Sequence, residues 1–293
     1  LEKNVLVVAN PVAGHGFTAR SLPQVRKRLE GLGWPHTIML TESKYGAETL
    51  VKDHVCHGYS DLVVVGGDGT LHQALNGMPR FDIPIGVVQT GTGNDFSKAM
   101  GEKLGIGAQI ERALLAPPRP VDMGVCNGRY FANGVGIGFD GWVAHRAAEL
   151  WTAGVPGVWA YYRAIARGIV GYQPFEATMR HDSTALDVHR LFMVTVGNGK
   201  AFGGGVPVCP RAAIDDGQLD FCAVERLTVP GRIWRLPLLM AGKHLGLHKV
   251  HYGTGHKVVI HTAHPVEAHL DGELLRGSNF EIGLAPHNLW LRW

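Results

Sequence analysis

Four short glycine-rich clusters hold most of the chemistry this sequence could do. The first, Asn10-Pro11-Val12-Ala13-Gly14-His15-Gly16, lies between an apolar run and an amphipathic one. A turn of that kind exposes backbone N–H groups, and the helix that follows adds the positive end of its dipole. Together they outline a phosphate site. No Gly-Lys-Ser/Thr follows and the spacing is not GxGxxG, so a tight strand-to-helix turn without ligand explains this cluster equally well. The second, Gly66-Gly67-Asp68-Gly69-Thr70, surrounds one carboxylate with glycines. An acid in a phosphate-friendly loop makes sense if Mg²⁺ lies between the two. Asp68 or Thr70 could instead cap the next helix, but a cap needs no triple glycine. The third, Gly91-Thr92-Gly93-Asn94-Asp95-Phe96, repeats the pattern. The fourth, Asp271-Gly272-Glu273, reads locally as a hairpin turn, because Asp-Gly is a common turn pair.

The elements that must position these clusters follow from hydrophobic periodicity. Asn4–Ala9, His36–Leu40, Asp61–Val65 and Ile83–Gln89 read as buried strands. Between and after them, residues 17–32, 47–57, 71–78, 95–100 and 106–115 read as helices. This alternation predicts a parallel sheet covered by helices on both faces. Ligands bind such sheets beyond the carboxyl ends of the strands, so the first three clusters are expected to converge on one edge. After Pro117-Pro118 the rhythm changes to strand-like runs over 129–135, 176–180, 188–196, 218–224, 256–261, 266–269, 280–284 and 288–293. One helical stretch lies within 141–170 and one within 230–246. This half reads as an antiparallel β domain. The expected division is 1–125, a nucleotide-binding α/β domain, and 126–293, a β-sandwich.

The set NPVAGHG (10–16), GGDGT (66–70), GTGNDF (91–96), DDGQLD (215–220) and DGE (271–273), in that order, resembles the diacylglycerol kinase catalytic family. That family includes bacterial lipid kinases and sphingosine and ceramide kinases. The likeness spans essentially the whole chain. It implies a doubly wound N-terminal domain similar to those of phosphofructokinase and NAD kinase, and a C-terminal antiparallel β-sandwich that holds the acceptor lipid. It implies that Asn10, Gly14, Gly16, Thr41, Gly66, Gly67, Asp68, Gly69, Thr70, Leu71, His72, Thr92 and Asn94 line ATP. Asp68 and Asp95 would organise a catalytic Mg²⁺, partly through water, and Glu273 would be the general base. The resemblance further implies a structural metal held by Asp216 with backbone oxygens of Ala213 and Gln218, and it suggests a homodimer. Asp122 resembles a family position near the metal network. The chain departs from the family at His72-Gln73, where many members carry Asn-Glu, which bears on the detail of the nucleotide contacts.

Bulk properties narrow the alternatives. Hydrophobic residues make up 45% and charged residues 18%, as in an ordinary folded chain. A net charge of +3 does not suggest a nucleic-acid partner. Forty glycines, about twice the usual share, match the clusters. Cys56, Cys126, Cys209 and Cys222 are scattered with no CxxC pair, which fits a reducing cytosol. No apolar run approaches the ~20 residues a spanning helix needs, and the apolar start at Val5 runs into a turn rather than forming a signal peptide. The expectation is a cytoplasmic protein that meets its lipid substrate peripherally at the membrane surface. Trp151, Trp159, Tyr161 and Tyr162 could form a lipid-entry lip, but packing into the β domain is favoured. For the stretch 233–247 with Arg232, Arg235, Lys243 and Lys249, a solvated face over a packed stripe is favoured. His256, His261, His264 and His269 match no zinc spacing and read as strand-surface residues. The rivals to a lipid kinase are an NAD-kinase-like enzyme and a catalytically silent nucleotide- or lipid-binding protein of the same fold.

Overall fold

In the computed structural model the described residues are 3–42, 46–101, 104–155 and 157–293. They form two compact units. One comprises Leu1–Met123 with Ala285–Trp293, the other Gly124–Leu284.

The first unit alternates β1 (Val5–Ala9), α1 (Ala13–Gly31), β2 (His36–Leu40), α2 (Gly46–His54), β3 (Asp61–Gly66), α3 (Asp68–Gly77), β4 (Ile85–Gln89), α4 (Asp95–Ala99), α5 (Ile106–Leu115) and β5 (Pro118–Val121). Every residue of β1, β3 and β4 is buried, as expected of apolar strands covered on both faces. The sheet order is β2-β1-β3-β4, continued by two further strands, and β1 to β4 pair in parallel. The chain therefore winds from β1 outward to β2 and then back across to β3. That reversal is the switch point at which open α/β sheets bind ligands. The loops after β1 and β3 carry the first two glycine clusters.

The second unit holds β6 (Gly124–Cys126), β7 (Arg129–Phe131), β8 (Gly134–Gly138), α6 (Phe139–Thr152), α7 (Gly157–Gly171), β9 (Phe175–His181), β10 (Thr184–Leu186), β11 (Arg190–Gly197), β12 (Leu219–Glu225), α8 (Val229–Met240), β13 (Val250–Gly255), β14 (Lys257–Leu270) and β15 (Glu273–Leu284). Its pairings are all antiparallel, and several, β6–β15, β8–β14 and β9–β14 among them, link strands far apart in sequence. One apolar core, including Phe131, Ile137, Phe221, Phe280 and Ile282, lies among the strands. A second, including Phe139, Phe192 and Tyr172, lies beneath α6 and α7.

The structure differs from the sequence reading in four places. The last strand, β16 (Leu289–Arg292), leaves the β domain and inserts between β4 and β5 of the first unit. The two strands expected at 256–269 are one long β14 with a register shift between His261 and Val266, a bulge rather than a turn. The single helix expected within 141–170 is two, because the chain stops at Gly154, whose φ of 87° ends α6. Finally, His269 is buried, unlike His256, His261 and His264.

Candidate active site

The three N-terminal clusters meet, and glycine is what lets them. Val12 is right-handed, whereas Gly14, His15 and Gly16 all take left-handed backbone, with φ of 58°, 55° and 78°. A reversal of that sense turns successive N–H groups toward one concavity. A Cβ on Gly14 would lie 1.9 Å from the Thr90 carbonyl oxygen, so the first loop presses on the start of the third. The Thr18 and Thr90 hydroxyls share a hydrogen bond that reinforces the contact. Gly67 and Gly91 touch backbone to backbone: a Cβ on Gly91 would come within 2.5 Å of the Gly67 Cα and 2.8 Å of Asn94 Oδ1. Asn94 is left-handed, and its Nδ2 donates to the Gly91 carbonyl at 2.8 Å. Thr41 stands at the same edge, its N–H donating to the Ala9 carbonyl at 2.9 Å.

Asp68 ties the second loop to the third. Its Oδ2 accepts the Asp95 N–H at 2.9 Å and its Oδ1 accepts the Phe96 N–H at 3.2 Å. Asp68 therefore caps a helix, but α4 across the edge rather than the α3 that it begins. Asp95 pairs with Lys98 at 2.6 Å. A cation here would share these oxygens with protein donors. That suits magnesium, which dehydrates reluctantly and keeps several of its waters. Asn10 Oδ1 accepts the Val12 N–H at 3.2 Å. Gly66 ends β3, Gly69 and Thr70 lie in the first turn of α3, and Thr92 lies in the third loop. Thr70, Leu71 and His72 are buried in α3, with Asn76 Nδ2 3.4 Å from His72 Nε2, and Thr41 is buried just past the end of β2. Gln73 is buried as well, so the departure from the family's Asn-Glu lies inside the helix packing.

In the second unit Asp271-Gly272 is the two-residue turn joining β14 and β15, and Glu273 is the first residue of β15. The turn's φ values of 50° and 91° are those of a type I′ hairpin. Asp271 does more than turn the chain. Its carboxylate accepts the N–H groups of Ala132, Asn133 and Gly134 at 2.8, 2.9 and 2.8 Å, and its own N–H donates to the Gly134 carbonyl at 3.0 Å. The turn is thus clamped onto the loop entering β8, and half-buried Glu273 leaves from a fixed point. The sequence reading missed this role for Asp271; an Asp-Gly pair signals the turn but not a partner about 138 residues away. In the same unit Asp216 is exposed and its Oδ1 accepts the Gln218 N–H at 3.1 Å, across Gly217 with φ of 72°. Ala213 is half-buried in the same loop.

Residues 4–126 match the family model of the diacylglycerol kinase catalytic domain, and residues 133–291 that of the YegS C-terminal NAD kinase beta sandwich-like domain. The chain belongs to the diacylglycerol kinase catalytic family. Among curated members, the diacylglycerol kinase of Bacillus subtilis (strain 168) is 26% identical over 92% of this chain and 90% of its own. The diacylglycerol kinase of Mycobacterium tuberculosis (strain H37Rv) is 27% identical over 96% and 92%. Two solved structures from Bacillus anthracis share the fold. One has a TM-score of 0.82 at 24% identity, covering 99% of this chain and 95% of that one. The other, a diacylglycerol kinase, has a TM-score of 0.72 at 22% identity, covering 99% and 97%. The two family models account for the two-part fold. Among the described residues no helix is long and apolar enough to cross a membrane.

Proposed function

We propose that this chain transfers the γ-phosphoryl group of ATP to a hydroxyl of a lipid such as diacylglycerol or a related long-chain alcohol. The observation that carries this reading is the Asp68 carboxylate, held by the Asp95 and Phe96 N–H groups where three glycine loops meet at a switch point. A bare structural turn needs neither the acid nor the close backbone approach. The loop N–H groups bind the phosphates, and Asn10 and Thr41 border them. Magnesium, when bound, offsets the charge on the β- and γ-phosphates. Asp68 and Asp95 would hold it.

An alcohol is a weak nucleophile at neutral pH, so a positioned carboxylate that takes its proton as the new bond forms contributes substantially to the rate. Glu273 has that role. The acceptor oxygen bonds to the γ-phosphorus, the bond to the β-phosphate oxygen breaks, ADP leaves and the proton passes to Glu273. The clamp at Asp271 keeps Glu273 from searching conformations, an orientation effect of the kind that lowers barriers. Asp216, with the backbone oxygens of Ala213 and Gln218, is a second, structural cation site. Its all-oxygen donor set suits a hard divalent ion.

Labelled ATP, magnesium and a lipid panel test the reading, with products separated by thin-layer chromatography. Label should appear in a phospholipid, and Glu273→Gln should bind ATP as before while losing on the order of 100-fold or more in transfer. Label in NAD alone would favour the NAD-kinase-like alternative. Wild-type turnover in Glu273→Gln would remove Glu273 from the mechanism.

A further inference from the structure

The solvent face of α8 is apolar along its whole length. Pro230, Ile233, Trp234, Pro237 and Met240 recur at intervals of three, one, three and three, and all five are exposed. Ile233, Trp234 and Met240 are 55%, 52% and 45% exposed, which is not how a soluble helix faces water. The favoured sequence reading, a solvated face over a packed stripe, holds for the stripe, where Leu236 and Leu239 pack on the second core, and fails for the face. Arg232, expected among the solvated charges, points inward. It donates to the Ile169 and Tyr172 carbonyls at the end of α7 and stacks on Phe192. α7, tied to α8 in this way, exposes Trp159, Tyr162, Arg163, Ala166, Arg167 and Val170 along one stripe. Trp151, Trp159 and Tyr162 are each more than half exposed, so packing into the β domain does not account for them.

At the start of α8 lies a cavity of about 390 Å³ lined by Arg226, Leu227, Thr228, Arg235, His248 and Lys249. Three permanent cations and an imidazole surround it, and no carboxylate does. Among the described residues none of these four basic side chains makes an ion pair. Arg235 stacks on Trp234, and Lys249 Nζ donates to the Arg226 carbonyl at 3.3 Å. Lys249 also occupies left-handed backbone, with φ of 70°, a conformation that bulky non-glycine residues rarely adopt. The chain has no Asp or Glu from 150 to 175 or from 226 to 266, which are the stretches holding α7, α8 and the cavity. Burial, and next the charge of Arg226, lower the pKa of Arg232, with Tyr172 opposing them. The positive end of the α8 dipole adds to the field at Thr228.

We infer that this face is a membrane-docking surface: the apolar stripe of α8 enters an anionic bilayer while the Arg226–Arg235–Lys249 cavity holds a lipid phosphate. An apolar face beside a cation cluster is the division of labour of an interfacial helix, in which apolar area gives depth and basic side chains select anionic lipid. A solvated protein partner would need acidic residues opposite the cavity and an apolar groove opposite α8. A bilayer supplies both from one molecule.

Sedimentation of the purified chain with vesicles tests this. The chain should pellet with phosphatidylcholine vesicles containing phosphatidylglycerol and stay in solution with phosphatidylcholine alone. Arg226→Glu combined with Lys249→Glu should lower partitioning by more than about tenfold, since each basic residue near an anionic leaflet is worth roughly fivefold. Trp234→Ser should lower it independently of salt. All three side chains are partly or fully in water, so thermal unfolding at the wild-type temperature should show that the variants are folded. Wild-type pelleting by the variants, or no preference for anionic vesicles, would overturn the inference. So would a dimer that Trp234→Ser dissociates, or binding of inorganic phosphate by a chain that ignores vesicles. The choice of partner rests on the lipid-kinase reading, but the assay uses no ATP. A chain that binds vesicles without phosphorylating lipid removes the kinase and keeps the dock. One that phosphorylates detergent-dispersed lipid but ignores vesicles does the reverse.

Discussion

At the scale of single residues the proposed nucleotide edge depends on atoms that are missing. Gly91 has no positive φ to explain it; it is glycine because the Gly67 Cα and Asn94 Oδ1 occupy the place of its Cβ. Gly91→Ala must push backbone against backbone, a strain of about 1–3 kcal/mol, and the second and third loops should part. ATP affinity measured by calorimetry should fall about tenfold or more. Gly107→Ala is the matched control: it sits in α5 with open space around its Cβ, and should leave affinity unchanged while raising stability by up to about 1 kcal/mol. Equal ATP affinity in the two variants would make the loop contact incidental. This site was largely legible in the sequence, since a run of glycines around one acid after an apolar strand has few other uses. The route of the coupling was not legible. Whether Asp68 capped its own helix or a neighbour's depends on how closely two loops approach, and that distance has no local signature.

At the scale of elements, helices and strands with clean periodicity were readable, and the errors came where polarity imitates a turn. The stretch Thr262-Ala263-His264-Pro265 looks like a break but is a bulge within β14. The stop between α6 and α7 has a local signature in Gly154. The face of α8 could not be assigned, because an amphipathic pattern shows two faces and not which one is covered. The segment following α8 is anchored by His244, buried, with Nε2 3.0 Å from the Val208 carbonyl. Burial lowers its pKa below the ordinary 6.5, and the bond to Val208 offsets this only in part. Below pH 6.5 the unfolded chain binds a proton that the folded chain resists, so this residue withdraws stability as pH falls from about 7 toward 5. His244→Gln retains a donor for Val208 and cannot titrate in that range. Its melting temperature should therefore fall less than the wild type's between those two pH values. Parallel curves for the two proteins would show that His244 titrates freely.

At the scale of the whole molecule, the chain closes its first unit with its last strand. The alternation in β16, with Leu289 and Leu291 buried and Trp290 exposed, identifies a strand without naming its partner. Adjacency in sequence argued for the β domain, and the structure sends it elsewhere. One feature of the strand does show where it belongs: Arg292 is a buried charge and must find a buried counter-charge. It finds Asp61 at the first position of β3, with Nε and Nη2 donating to Oδ1 at 2.9 and 2.6 Å, and its Nη1 donates to the Ala116 carbonyl at 2.6 Å. Lys3 also pairs with Asp61, at 2.7 Å, but from a side chain that is 37% exposed, against 10% for Arg292. The two partners should therefore contribute unequally. Arg292→Met leaves a buried carboxylate short of charge and should cost about 3 kcal/mol in urea unfolding, whereas Lys3→Met should cost about 1 kcal/mol or less. Equal losses would mean that solvent reaches Asp61 and that the strand is held by its apolar residues alone. Deleting Ala285–Trp293 removes the strand between β4 and β5 and bares a flat apolar edge on β4, a template for aggregation. That truncation should abolish ATP binding through loss of the first unit, although every residue proposed to touch ATP is still in the chain.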